Sequence, residues 1–315
     1  MNTKIIPAAK ITLATVALLA LCPTLPTQAV PAAPTAPAIA AAAAPVTLRY
    51  KFAVGQMRRY QYDMDMNILM QTGQTGAGIP MDMVVHMVMR QTVKSIRPAD
   101  GAATLVTKIE SMHMLRGGQE APLPEAEQAK MEQPFTQVML PTGKILSMDL
   151  PALSSAVAPG MDFSKNMFSS TALLPDGPVK IGESWKGAAD VAAVGAQTTF
   201  TATLMSVDQK GGAALATIQQ KQSGTIDKTL TEGTPVPVKM QGQVTGTTNQ
   251  VFDTTAGVIQ SATGTADTDL TMAFGKSADG TASAGMPSAM KMSMQMKFTM
   301  TRLSDTPPTS IAPVQ

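Results

Sequence analysis

The sequence predicts a mostly β chain, a twisted antiparallel sheet or half-barrel made of two weakly repeated halves with a short helical segment mid-chain. Three observations carry this. Apolar and polar residues alternate with period two on several segments, the signature of a half-buried strand. Turn dipeptides such as Asp100-Gly101, Gly211-Gly212 and Asp279-Gly280 punctuate those segments. Similar stretches also recur in the same order: "SIRPADGAATLVTKI" (Ser95 to Ile109) with "SVDQKGGAALATI" (Ser206 to Ile218), "PTGKI" (Pro141 to Ile145) with "TTAGVI" (Thr254 to Ile259), and "VGQMRRY" (Val54 to Tyr60) with "IGESW" (Ile181 to Trp185). Order and near-constant spacing favour a duplication whose halves, 46–174 and 175–303, meet near Pro175.

Residues 1–29 read as a secretory signal. Lys4 and Lys10 give the positive start, Ile11 to Leu21 the short apolar run, and Thr27-Gln28-Ala29 the small-residue cleavage site. The run stops at Pro23, short of the roughly 20 residues of a membrane span. Cys22, the one cysteine, follows Leu19-Ala20-Leu21 as a lipid-anchor cysteine would. Leu21 is too large for that signal, so removal with the leader is the expectation. The chain is thus expected to be exported, periplasmic or extracellular, with no disulfide. Residues 30–45, rich in Pro and Ala, read as an extended tether.

In "RYQYDMDMNILM" (Arg59 to Met70), Tyr60, Tyr62, Met64, Met66, Ile68 and Met70 share one face. "MDMVVHMVMR" repeats the pattern with Met81, Met83, Val85, Met87 and Met89. A separate strand is expected at 91–97, and others at 102–115, 197–207, 213–223, 238–252 and 257–274. "PEAEQAKMEQ" and "LPALSSAV" carry the helical character, the latter with Pro151 suited to a first turn. The alternation is strongest in "MKMSMQMKFTM", where Met290, Met292, Met294, Met296, Phe298 and Met300 face one way and Lys291, Ser293, Gln295, Lys297 and Thr299 the other. Methionine favours helices intrinsically, but a helix would scatter the six apolar side chains and bury the lysines. The tail 304–315, with Pro307, Pro308 and Pro313, reads as disordered.

"LRYKFAVGQMRRYQYDMDM", "LPDGPVKIGESWK" and the closing Met-alternating strand resemble a family of uncharacterised exported Met-rich bacterial β proteins. That resemblance covers most of 46–303, and its motifs are turns and strand starts, so it implies a fold and no catalytic residue. In outline the chain is more distantly similar to the periplasmic lipoprotein-carrier half-barrels, an analogy of fold.

With the leader gone, the 24 Lys and Arg lose Lys4 and Lys10 and balance the 22 acids. No basic patch remains to recruit nucleic acid. The chain is long enough for a sizeable core, and at 4% aromatic residues that core has to be built from Met, Val, Ala, Leu and Ile. Catalytic signatures are missing. The two histidines, His86 and His113, sit on outward-facing strand positions. "SAMK" (Ser288 to Lys291) matches Ser-x-x-Lys but opens a strand and lacks the companion motifs. "FGKS" (Phe274 to Ser277) lacks the earlier glycine of a phosphate loop, and the acid pairs Asp63/Asp65 and Asp267/Asp269 suit a solvated face. The expectation is a non-enzymatic protein without a cofactor.

The 25 methionines form a lining spread over strands. Read structurally, Met fills an irregular interior because it adapts to gaps, and the protein is a structural or interaction module with a Met-lined apolar interior and an envelope protein partner. As an alternative, the lining holds an apolar small molecule or lipid, with Leu150 to Leu174 as plug or lid. Its walls would be Met64, Met66, Met81, Met83, Met87, Met89, Met292, Met294, Met296 and Phe298. A second alternative is Cu(I) bound by thioether sulfur. Trp185, the one tryptophan, is expected to anchor the core of the second half.

Overall fold

The computed structural model describes residues 44–72, 78–121, 123–149, 173–191, 196–230, 236–275 and 289–305. All belong to one compact unit, Ala43–Gln315. The leader, the tether up to residue 43, the helical reading of "LPALSSAV" and the tail beyond 305 lie outside the described residues.

The strands in chain order are β1 (Met57–Thr72), β2 (Ile79–Ile96), β3 (Ala103–Arg116), β4 (Gln119–Glu120), β5 (Phe135–Met139), β6 (Ile145–Asp149), β7 (Ser184–Val191), β8 (Ala196–Lys210), β9 (Ala213–Leu230), β10 (Val238–Asp253), β11 (Val258–Phe274) and β12 (Ala289–Leu303). The single described helix, α1 (Glu125–Met131), falls on "PEAEQAKMEQ". All strands join one antiparallel sheet in the order β6-β5-β3-β2-β1-β12-β11-β10-β9-β8-β7, with β4 added on β3. The sheet is therefore two meanders joined where β1 pairs with β12, and it is not closed into a barrel.

Period two governs the long strands as their residues require. Tyr60, Met64, Met66 and Ile68 are buried on β1 while Asp65, Asn67 and Leu69 are exposed, and on β12 every residue of the Lys291 to Thr299 set is exposed. One expected element is corrected. Residues 91–97 are no separate strand: β2 runs on through Ile96, because Arg90-Gln91-Thr92 offers no turn residue. The ladder instead absorbs a register shift between Val93 and Ser95.

The sheet must curl. Laid flat, eleven strands at about 4.8 Å spacing would hold β6 and β7 roughly 50 Å apart. Instead, the Leu174 amide just before β7 donates to the Thr142 carbonyl between β5 and β6 at 2.8 Å. A strap of residues 46–52 ties the same end together. Val46 pairs with Val179, the Tyr50 amide donates to the Pro141 carbonyl at 2.8 Å, and the Lys51 amide donates to the Gly257 carbonyl at 3.1 Å. Arg49 adds hydrogen bonds to the Pro175 and Asp176 carbonyls. Leu48, Tyr50 and Leu174 thereby fill the concave face at this lower end, with Phe200, Leu204, Ile218 and Phe252 around them. Trp185 packs against that cluster and donates from Nε1 to the Leu173 carbonyl at 2.8 Å.

The two meanders begin with matching geometry. The Gly55 amide donates to the Val93 carbonyl and the Val93 amide to that of Gln56; Gly182, Leu204 and Glu183 repeat this pattern. Gly55 and Gly182 have φ of 82° and 86°, a region open to glycine at little cost. The register shift next to Val93 recurs next to Leu204.

At the β2–β3 turn, Arg97 pairs with Asp100, and with the Ala102 amide it holds the Asp100 carboxyl down at about 2. A depressed carboxylate contributes stability above its unfolded value of about 4, and that contribution disappears as pH falls through 2. Asp100→Asn should therefore be less stable than wild type at neutral pH and converge with it between pH 4 and 2. Urea midpoints measured against pH check this. A constant gap down to pH 2 would reject it.

Candidate functional site

The concave face is a set of rows fixed by register. From the upper rim downward along β12, β1 and β2, these are Met292, Met70 and Ile79; Met294, Ile68 and Met81; Met296, Met66 and Met83; Phe298, Met64 and Val85; and Met300, Tyr62 and Met87. Directly opposed residues have Cβ atoms about 4.5–5.5 Å apart. From Tyr62 to Met70 the apolar rows extend roughly 26 Å at a strand rise of about 3.3 Å.

What covers these rows differs along the face. At the lower end, the strap and Leu174 lie on the sheet. On the flank, Met131 of α1 and Leu123 pack against Met87, Met89, Ile109 and Phe135. In the upper zone, the clusters around Met64, Met66, Met83 and Val85 and around Ile68, Met240, Leu270, Met272 and Met292 consist of strand residues alone. Among the described residues, no element outside the sheet contributes to these two clusters, whose core members are only 1–7% exposed; we call this apolar zone the trough.

The expected wall residues are all on this face but not in one cluster. Met64, Met66 and Met83 group with Met296 and Phe298; Met292 groups with Met81 and Met294; Met87 and Met89 lie on the flank under α1. Tyr62, Met112 and Phe298 each touch two clusters and link the lower, flank and Met64 clusters. Below the apolar rows comes a polar one that the sequence reading missed. Arg58, Gln91 and Thr107 are direct neighbours across β1, β2 and β3. Arg58 has the same parity as Tyr60 and Tyr62, and that parity was the available signal.

Arg58 is 1% exposed. One of its terminal nitrogens donates to the strap at the Lys51 carbonyl and to Gln56 Oε1 at 3.0 Å, and its guanidinium lies 5.2 Å from the centre of the Phe52 ring. Burial pulls the guanidinium below its ordinary value, although an arginine stays protonated. Burial also pushes the neighbouring Tyr60 and Tyr62 hydroxyls up.

The outer face is polar. Asp63 Oδ1 lies 2.7 Å from His86 Nδ1, and His113 stands opposite His86. Lys291, Lys297, Asp267 and Asp269 are exposed there too. A membrane-embedded barrel needs the reverse, an apolar exterior. No described helix is long and apolar enough to cross a membrane. His, Cys, Asp and Glu side chains form no metal-holding group among the described residues.

The chain matches no known family model and no curated protein. Several solved structures resemble it weakly. A lipovitellin structure described in terms of lipid–protein interactions is 12% identical with a TM-score of 0.46, covering 83% of this chain and 27% of its own. A DUF1329 family protein from Desulfovibrio piger is 9% identical with a TM-score of 0.15, covering 75% and 83%. An outer-membrane lipoprotein-sorting domain from Vibrio parahaemolyticus is 6% identical with a TM-score of 0.13, covering 79% and 87%. The chain spans about a quarter of the lipovitellin chain. At these scores, the reading of function rests on this chain's own residues.

Proposed function

We propose that the protein carries a lipid-like molecule, with the acyl chain lying in the Met-walled trough. One observation supports this above the module reading: a face of Met, Ile, Leu and Val on which no described residue outside the sheet is packed. An apolar chain moved from water into such a lining gains about 25 cal/mol per Å² of its own surface, and flexible thioether side chains adapt to chains of different shape. The length fits as well. An acyl chain spans half of a hydrocarbon core about 30 Å thick, or about 15 Å, and the rows extend further than that. Among the described residues, the exposed large apolar side chains are Val54, Leu69, Ile79, Leu146, Ile181 and Met205; apart from Leu69 and Ile79 at the paired ends of β1 and β2 they fall on separate strands and turns, which gives a protein-docking patch less support.

Displacement of N-phenyl-1-naphthylamine by 1-hexadecanol tests the reading. The wild type should bind both, Met66→Glu should weaken both at least about tenfold because it buries an unpaired charge, and Lys297→Glu on the outer face should leave both unchanged. A wild type that takes up neither compound would sink the proposal.

The register supports a second reading. Met83, Met66 and Met296 stand in one row on three adjacent strands, and thioethers suit Cu(I). Met66→Leu separates the two readings, since it roughly conserves volume. Hexadecanol binding should survive the change within about threefold. Cu(I) binding, measured anaerobically against a chromophoric chelator, should be lost if the row is a metal site.

A further inference from the structure

Below the trough, within the packed lower end, a cavity of about 40 Å³ is lined in part by Arg58, Tyr62, Gln91, Thr107 and Met300, with Tyr50 of the strap on its wall. Arg58 Nε and Thr107 Oγ1 are buried there with no hydrogen-bond partner among the described residues. Two donors without acceptors, one of them cationic, are a costly arrangement in a core. Among the described residues no carboxylate is bonded to Arg58, although the charge of Asp305 reaches it. Asp305, the acid near this end, is taken by Arg302 at 2.8 Å. Arg302 itself stands opposite Tyr60 on the concave side and brings a second cation close.

We propose that Arg58, Gln91 and Thr107 form the head-group subsite for the carboxylate of a long-chain monocarboxylic acid whose acyl chain fills the trough above. This rests on the lipid-carrier reading and adds the chemical class of the ligand. The cavity decides in favour of a carboxylate. At 10–15 Å³ per water-sized group, it has room for about three heavy atoms. A carboxylate has three, and a phosphodiester with its glycerol has many more. The geometry also agrees: Tyr62 and Met300 line the cavity and belong to the lowest of the rows that lead into the trough. An acid seated there presents two acceptor oxygens to the guanidinium and the hydroxyl, and charge-assisted hydrogen bonds are the stronger kind.

The test compares palmitate, 1-hexadecanol and hexadecyl phosphate as competitors of N-phenyl-1-naphthylamine. The wild type should prefer palmitate over hexadecanol by about tenfold or more, and over the phosphate as well. Arg58→Gln and Thr107→Val should each bring palmitate towards the hexadecanol value and leave hexadecanol binding unchanged. Arg58 also holds the strap, so Thr107→Val and the wild-type comparison decide the matter if Arg58→Gln does not fold. Equal binding of palmitate and hexadecanol, or a preference for the phosphate, overturns the head-group assignment and leaves the trough intact. Failure of every competitor and of the fluorescent probe overturns the carrier reading itself.

Discussion

Phe252→Ala should destabilise the protein by about 3–5 kcal/mol, the range for removing a fully buried phenylalanine. Phe252 is 0% exposed, and its ring meets Tyr50 of the strap edge-on at a centroid distance of 5.3 Å. It belongs to the cluster that holds the two sheet edges at the closed end, so the void cannot be filled by moving one side chain. Native domains hold about 5–15 kcal/mol in total, and a loss of this size should be plain in urea denaturation followed by Trp185 fluorescence. A shift below about 1 kcal/mol would mean that the strap is not packed as described.

Gly257→Val should have an effect of similar size for a different reason. Gly257 has φ +66, and a Cβ there would lie 2.4 Å from the Lys51 backbone nitrogen and 2.5–2.6 Å from Lys51 side-chain carbons. A left-handed conformation costs a non-glycine residue about 1–2 kcal/mol, and displacing the strap adds to that. Gly117→Ala isolates the first contribution, because Gly117 has φ +56 with nothing within 4 Å of its added Cβ. The valine variant should lose at least about 2 kcal/mol more than this control. Equal losses would show that backbone strain explains everything and that the strap's contact with the β10–β11 turn is dispensable.

The long strands were legible because burial on one side imposes period two. β1, β2 and β12 could be read residue by residue from their tyrosines and methionines. The five-residue strands β5 "FTQVM" and β6 "ILSMD" were not, since such short runs give too few alternations to separate from a loop. β7 "SWKGAADV" carries a glycine and few apolar residues, and its position at the sheet edge comes from pairing with β8 alone. The strap was invisible for a related reason. Its partners at 141, 179 and 257 are far away in sequence, and no local pattern announces them. Of the candidate site, the walls were readable and the floor was not. Arg58 sits in "MRRY" beside Arg59, which pairs with Glu110 at 2.8 Å. Adjacent arginines look alike in composition, and strand parity sends one to the interior and the other to the outer face.

The pairing of β1 with β12 also sets the order of events in folding. Among the described strands, β1 is the first to be synthesised and β12 the last, and Arg59 lies opposite Leu303. The strap that closes the lower end likewise waits for Gly257. The central seam therefore cannot form until β12 has been translated, and until then β1 has one unsatisfied edge. Folds dominated by such distant contacts form in milliseconds to seconds or more slowly. During that interval the methionine-bearing strands are exposed, and a chaperone would meet them before they meet each other.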